Sequence, residues 1–401
     1  MLLLRIGSYK EGLFHGHESI NNVDVRCLFL RRNELRKVKI YGAGSIGNHL
    51  TQASRRMGWS VDLCDIDEAA LLRTKNEIYP SRYGKWDEDV RMYGVGNVPV
   101  GGYDLVVVGT PPDSHMKLAI AAVKEGASAV LVEKPVCTPD LEGAQELYEE
   151  AKAAGCAVFV GYDHAVGSAA RRFSGLLERA TVGKILTIDV EFREHWGGIF
   201  DAHHWLDGPS DTYLGYWKRG GGACGEHSHG INLWQYLAYR AGKGRVVEVS
   251  ANMDYVQDGS VEYDSVCLMQ FKTETGMIGR VVQDVITKPT RKWARAQGDN
   301  GFIEWYCGHK PGVDTVVCAP DVGEITSTDV RKTRPDDFLL EMKHIDAVLN
   351  GQMAITESPI SLSRGLDSML VIAAAHISEQ QKRVVKIDYS KGYSIDALSL
   401  V

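Results

Sequence analysis

The chain has 401 residues, 45 basic against 52 acidic, a formal net charge of −7 and 44% hydrophobic residues. A chain longer than one hydrophobic core usually supports is expected to form two domains, and an acidic balance without a long basic run excludes a nucleic-acid surface as its main business. No apolar stretch approaches the roughly 18 residues of a membrane span, and Arg5 cuts the apolar start Met1 to Leu4, so a cytoplasmic protein without membrane or nucleic-acid partners is expected.

Residues 1–36 form an N-terminal extension that reads poorly. Val23 to Leu30 has the pattern of an added strand, and a disordered or wrongly assigned start fits about as well. The first clear unit runs from Val38 to Asp67. Val38 and Ile40 make a short strand, and Gly42, Gly44 and Gly47 follow in G-x-G-x-x-G spacing, with Ser45 and Ile46 between them, before a helix that ends near Gly58. In such a turn the first glycine permits the tight bend, the second lets backbone approach a pyrophosphate, and the third lets helix and strand pack closely. The helix N-terminus offers unpaired N–H groups to the phosphates. Asp65 closes the next apolar run, Val61 to Cys64, where a carboxylate can accept both ribose hydroxyls.

Strands and helices then alternate as in a parallel sheet covered on both faces. Tyr103 to Val108 is a continuous apolar strand entering Gly109, Thr110, Pro111 and Pro112, with a helix over Ser114 to Lys124 after it. Ala129 to Val132 enters Glu133, Lys134 and Pro135. Thr138 and Pro139 look like the N-cap and first position of a helix reaching Ala154, and Ala157 to Val160 adds a strand. Ligands bind at the carboxyl ends of such strands, so the loops at Gly42, Asp65, Thr110, Glu133 and Gly161 should share one rim. We place this Rossmann domain at 37–160 and a second domain at 161–401, whose last helices can pack back on the first.

In the second domain the period becomes two. Ile188, Val190 and Phe192 alternate with polar residues, and Val246 to Val256, Tyr263 to Phe271, Gly276 to Ile286 and Phe302 to Cys307 continue the pattern. The fold class is therefore α/β, with an N-terminal Rossmann domain and a C-terminal α+β domain built on an open, mainly antiparallel sheet. A glycine-led helix is expected from Ala223 to about Arg240, and C-terminal helices over Pro335 to Leu349 and Leu366 to Glu379. The eight cysteines include no C-x-x-C pair, which fits buried free thiols.

Four motifs occur in order: GAGSIG at Gly42 to Gly47, TPPDSH at Thr110 to His115, EKP at Glu133 to Pro135, and GGGACGEHSH at Gly220 to His229. Together they resemble the glucose-fructose oxidoreductase, inositol dehydrogenase and MocA-like (Gfo/Idh/MocA) oxidoreductases, over roughly residues 37 to 389. The resemblance implies reversible hydride transfer between NAD, with NADP the lesser candidate, and a hydroxyl or keto carbon of a sugar, sugar derivative or cyclitol, in a homo-oligomer, a dimer or tetramer. It implies cofactor contacts from Gly42, Gly44, Ser45, Ile46, Gly47, Asp65, Thr110, Pro111, Pro112, His115, Glu133 and Lys134. Lys134 would hold the reacting oxygen and stabilise alkoxide charge, and His229, whose imidazole titrates near neutral pH, would be the general acid/base.

Many members carry an aspartate four residues before this histidine, where Gly225 stands here. With Glu226 three before and Asn232 three after, one helix would still present Glu226, His229 and Asn232 as a polar stripe. Asp163 and His164 in GYDHAVG, where Ala165 occupies the family's frequent arginine position, are further substrate-binding candidates. Glu194 to Lys218 is crowded with aromatic and imidazole rings, of which His204 and Trp205, together with Lys218, would meet the substrate. No metal is expected, since no H-E-x-x-H pattern is present. The rival reading is a non-catalytic NAD-binding sensor of the same fold, which would have no need of Lys134 together with His229.

Overall fold

The computed structural model describes residues 35–201 and 205–401; the possible strand at Val23 to Leu30 lies outside them. Its first sheet contains β1 (Lys37–Tyr41), β2 (Ser60–Asp65), β3 (Arg91–Gly94), β4 (Leu105–Val108), β5 (Ala129–Val132) and β6 (Ala157–Val160). The order is β3-β2-β1-β4-β5-β6, parallel throughout. The chain leaves β1 first to one side and then returns to the other. That reversal opens a crevice between the ends of β1 and β4, where such sheets bind their ligands. β4 and β5 are buried along their whole length, as uninterrupted apolar strands must be when helices cover both faces.

Two local expectations are corrected. The helix expected from Thr138 begins only at Ala144 and runs to Ala154. Gly143, at φ +76°, breaks the path, and a Cβ there would lie 2.9 Å from Met116 Cβ; Thr138 instead donates to Asp140 Oδ1 at 2.6 Å. The helix expected over Ala223 to Arg240 is two helices, Gly222–Glu226 and His229–Arg240, interrupted at His227 and Ser228. Gln283 Nε2 donates to the carbonyl of His227, which also accepts from Gly230 N at 2.8 Å, and Trp234 Nε1 donates to Ile188 O at 2.8 Å, so both the break and the second helix are fastened to the sheet.

The second sheet contains β7 (Ile185–Arg193), β8 (Val246–Asp258), β9 (Val261–Thr273), β10 (Ile278–Asp284), β11 (Arg291–Gly298), β12 (Gly301–Lys310), β13 (Val313–Pro320), β14 (Thr326–Arg331), β15 (Val385–Ile387) and β16 (Leu398–Leu400). Its order is β14-β13-β12-β11-β7-β10-β9-β8-β15-β16, and only β7 and β10 run parallel. Alternation sends Ile188, Val190 and Phe192 to the core, while Leu268 and Ile278 remain exposed on the other face.

The last helices tie the sheets together. In helix Arg334–Leu349, Phe338 stacks on His49 of helix Ser45–Arg56 at 4.7 Å between ring centroids. Helix Leu362–Gln381 packs on β6, where Gly365 admits the Val160 side chain and Ile360 O accepts from Val160 N at 2.8 Å.

His376 of that helix shows how burial couples stability to pH. Fully buried, stacked on Trp217 at 4.4 Å and bonded through Nδ1 to Tyr255 Oη at 2.6 Å, it titrates at about 3 because burial disfavours the imidazolium. Its folded pKa lies below the unfolded value of 6.5. Its contribution is therefore complete above pH 6.5 and is lost as pH falls toward 3, by about 1.4 kcal/mol per pH unit. Burial raises Asp264 to about 8 and Glu133 to about 7, which works in the opposite sense. The variant-to-parent difference isolates the histidine: His376→Gln should lose less stability between pH 6.5 and 4.5 in urea unfolding, and parallel curves would exclude the effect.

Candidate active site

The nucleotide end is built from backbone. Gly42 sits at φ +99°, and a Cβ on it would lie 2.6 Å from Gly109 O; one on Gly47 would lie 1.8 Å from Gly42 O. The fold itself requires these two glycines. Gly44 differs, because a Cβ there would meet nothing within 4 Å. Open space over the middle glycine, beside the free N–H groups that begin helix Ser45–Arg56, is what a pyrophosphate needs. Arg82, which the motifs did not point to, donates to Ser45 O at 2.9 Å and Ser45 Oγ at 2.8 Å and so brings a cation to this turn. Only the folded path of residues 68–83 could reveal that.

Asp65 ends β2 as expected, with its carboxylate already pinned. Oδ2 accepts from Ala43 N at 2.7 Å and Oδ1 from Asp67 N at 2.9 Å. Each carboxylate oxygen has a second lone pair, so a ribose hydroxyl can still be received. Ile46 is half-buried beside this turn. Thr110 Oγ1 and Ser114 Oγ are 2.6 Å apart, and the first turn after Pro111 is 3₁₀ before helix His115–Lys124 begins.

His115 plays a different part from the cofactor contact expected of it. It is wholly buried, its Nδ1 3.0 Å from Pro135 O and its Nε2 2.6 Å from Thr110 O. It ties the TPPDSH and EKP loops together and presents no free edge to a nucleotide.

At the end of β5, Lys134 Nζ donates to Glu226 O at 2.8 Å and to Glu226 Oε2 at 2.9 Å. Burial alone would raise the Glu226 pKa, but Lys134 and His227 outweigh it and hold the carboxylate ionised. The EKP strand end and the glycine-led segment therefore meet through one charge-assisted pair. The glycine run makes that approach possible. A Cβ on Gly220 would lie 3.0 Å from Pro112 Cβ and 3.1 Å from Pro135 Cγ, and one on Gly222 would lie 2.0 Å from Asp264 Oδ1. Asp264, fully buried on β9, accepts from Cys224 N at 2.7 Å and anchors the first turn.

His229 opens the next helix with its side chain 16% exposed. Burial first, then the nearby charges of Lys134, Lys292 and Arg334, hold it well below the ordinary histidine pKa and not near neutral as expected, so the imidazole is neutral at pH 7 with a lone pair available, and a proton taken there needs a compensating charge. Its Nδ1 lies 3.7 Å from Asp163 Oδ1, and His164 packs edge-on against it at 4.7 Å and 89°. His164 Nδ1 faces Lys332 Nζ at 3.0 Å, so a cation does reach the loop that lacks an arginine at Ala165. Asn232, one turn past His229, is buried with its Oδ1 unpaired among the described residues. Glu226 belongs to the preceding helix, so the expected stripe along one helix is instead assembled across a break. His227 turns away toward Glu194 O, 3.3 Å from its Nε2.

Beneath these groups lie Glu133, Asp337 and Glu341. Burial raises all three, with Asp163 adding to each: Glu133 to about 7, Asp337 to about 6, and Glu341 well above the carboxylate range. Neither oxygen of Glu341 has a partner among the described residues. One grouping has metal-ligand spacing: the ligand atoms of Asp163, His164 and His229 lie within 4.8 Å of one another. Lys332 on His164 and the charges of Lys134, Lys292 and Arg334 around His229 oppose a divalent cation there.

The aromatic loop is only partly gathered to this centre. His203 and His204 lie outside the described residues. The Trp205 ring lies under the Arg73 guanidinium, 4.7 Å away. Lys218 is 70% exposed and 3.6 Å from Glu262; Arg219 pairs with Asp113 at 2.8 Å and fastens the loop to the TPPDSH turn.

The family model for the oxidoreductase family with an NAD-binding Rossmann fold, GFO_IDH_MocA, matches residues 36–162, and that for the GFO/IDH/MocA C-terminal domain matches 171–304. No curated protein matches the chain at a significant level. Among solved structures, an oxidoreductase from Agrobacterium radiobacter in complex with NAD+, L-tartaric acid and magnesium is 17% identical, covering 88% of this chain and 98% of its own, with a TM-score of 0.70. Levoglucosan dehydrogenase in complex with NADH and L-sorbose is 16% identical over 88% and 99%, at 0.71. The WlbA dehydrogenase from Bordetella pertussis, in complex with NADH and UDP-GlcNAcA, is 20% identical over 88% and 99%, at 0.64. These likenesses bear on the fold, and the two family models together span most of the chain. The chain belongs to the GFO/IDH/MocA family of NAD-binding oxidoreductases.

Proposed function

We propose that the chain interconverts a CH–OH group and the corresponding carbonyl on a sugar, sugar derivative or cyclitol, using NAD. The observation that carries this reading is a neutral, half-buried His229 within electrostatic reach of the Lys134 ammonium, at the carboxyl ends of a parallel sheet with open space over Gly44. Bound NAD supplies the hydride acceptor. Gly42 to Gly47 and Asp65 hold it, Lys134 steadies the reacting oxygen, and His229 takes the hydroxyl proton during oxidation or returns it during reduction. Buried polar groups around the centre, Asn232 Oδ1 among them, still need partners. A hydroxyl-rich substrate satisfies them, whereas an apolar one would leave each unpaired at about 1–3 kcal/mol. The polyhydroxylated L-sorbose and UDP-GlcNAcA bound by structural neighbours support this class. A sensor would leave the Lys134–Glu226 pair and the unpaired His229 without a task.

A panel of sugars, inositols and nucleotide sugars, read by NADH absorbance, is the direct test; no turnover with any polyol would remove the proposal. We also read the protein as a cytoplasmic homo-oligomer. Leu268 and Ile278 on the open sheet face and the seven unbridged cysteines among the described residues support this. A monomeric mass by light scattering would contradict the oligomer.

Cofactor choice rests on Asp65. Its carboxylate is pinned by two backbone N–H groups at the end of β2, and a 2′-phosphate bound beside it would meet like charge. Like charges at ~4 Å with an effective dielectric of ~20 repel by about 4 kcal/mol per pair before screening. Calorimetry should show NAD binding more tightly than NADP, and the reverse order would sink the assignment.

A further inference from the structure

His229 must present one ring nitrogen to the substrate, and a neutral imidazole carries its proton on only one of the two. Its Nδ1 is buried, has no hydrogen-bond partner among the described residues, and lies 3.7 Å from Asp163 Oδ1, which is equally buried and unpaired. Two orphaned polar atoms facing each other at this distance need only a small closure to form an N–H···O bond, and that bond satisfies both. The ring can pivot little, because Tyr162 at 5.6 Å, His164 at 4.7 Å and Phe192 at 6.4 Å enclose it. The helix segment just before His229 cannot supply an acid at Gly225, since a Cβ there would lie 2.1 Å from Gly220 O. Asp163, delivered from the end of β6 by another part of the chain, occupies the required side of the ring.

We propose that Asp163 is the positioning residue of His229: its Oδ1 accepts the Nδ1 proton, which fixes the tautomer and turns the Nε2 lone pair toward the substrate. This rests on His229 being the acid/base of the proposed reaction. The carboxylate also compensates the imidazolium formed on proton transfer, against Lys134, Lys292, Arg334 and the neighbouring His164 and His227.

The test has a structural and a kinetic part. Nitrogen-15 histidine NMR of the full-length protein should assign His229 to the Nδ1–H tautomer in the parent and show that preference lost in Asp163→Ala, with melting temperatures alike. An Nε2–H tautomer in the parent, or an unchanged one in the variant, overturns the proposal; so does broadening of the His229 and His164 signals by stoichiometric zinc, which would make the three residues a metal site. With a turned-over polyol, Asp163→Ala should lower kcat roughly a hundredfold with little change in KM, and shift the acidic limb of the kcat/KM profile to lower pH. Asp163→Asn, which keeps an acceptor, should recover part of the loss. Combined with His229→Asn, Asp163→Ala should cause no further loss, and additive losses would overturn the coupling. If His229→Asn alone keeps full turnover, the acid/base reading fails, whereas the NMR result tests the contact independently.

Discussion

Lys134→Met should lower turnover by roughly a hundredfold or more, because on the proposed reading the ammonium just past β5 holds developing alkoxide charge. It should also destabilise the protein, for a separate reason. Lys134 and Glu226 are 12% and 17% exposed and bonded at 2.9 Å, so removal of the cation leaves a largely buried carboxylate unpaired. Breaking a fully buried pair costs roughly 3–5 kcal/mol, and this one, with some solvent access, should fall at or below the low end. Further replacement of Glu226 by Gln should recover much of the stability and none of the turnover. His229→Asn provides the contrast, since its turnover should fall by a similar factor with NADH affinity little changed. Stopped-flow turnover, thermal unfolding and NADH titration on the four proteins separate the two effects. If Lys134→Met stays within tenfold of the parent on a confirmed substrate, the lysine is a structural partner of Glu226 and nothing more.

The second large effect is expected at the glycine turn, where two glycines of one motif should fail differently. Gly47→Ala puts a Cβ 1.8 Å from Gly42 O, backbone that cannot move without opening β1 from its helix. Loss of soluble protein or a steep fall in melting temperature should follow. Gly44 has φ −79° and ψ −164°, which any residue adopts, and no neighbour within 4 Å. Gly44→Val should therefore fold with a near-parental melting temperature and lose NADH affinity by about a hundredfold, because its side chain fills the space left for the pyrophosphate. Normal NADH binding by Gly44→Val would show that the open space serves something other than the dinucleotide.

Local signals settled a large share of this protein. G-x-G-x-x-G between an apolar strand and a helix, an acid closing the next strand, and runs such as LVVV and AVLV announce a parallel sheet and its ligand rim, because close backbone approach and complete burial each demand particular residue types. Alternation in β7 to β10 likewise announced the second sheet. Weaker patterns did not announce their elements: β3 (RMYG) is a half-exposed edge, and β13 pairs on the edge of β12 and β14 in turn on that of β13. What the tertiary structure alone decided is which polar groups meet. The break at His227 and Ser228 is met by Gln283 from β10, 56 residues away, and it puts Glu226 and His229 on different helices. His115 became a tie between loops, Lys218 turned to Glu262, and Arg82 and Asp163 arrived from separate short helices. Residue types and spacing report what a segment needs from its own backbone and from burial. The partner of a buried charge is set by how separate elements dock, and no local pattern encodes that.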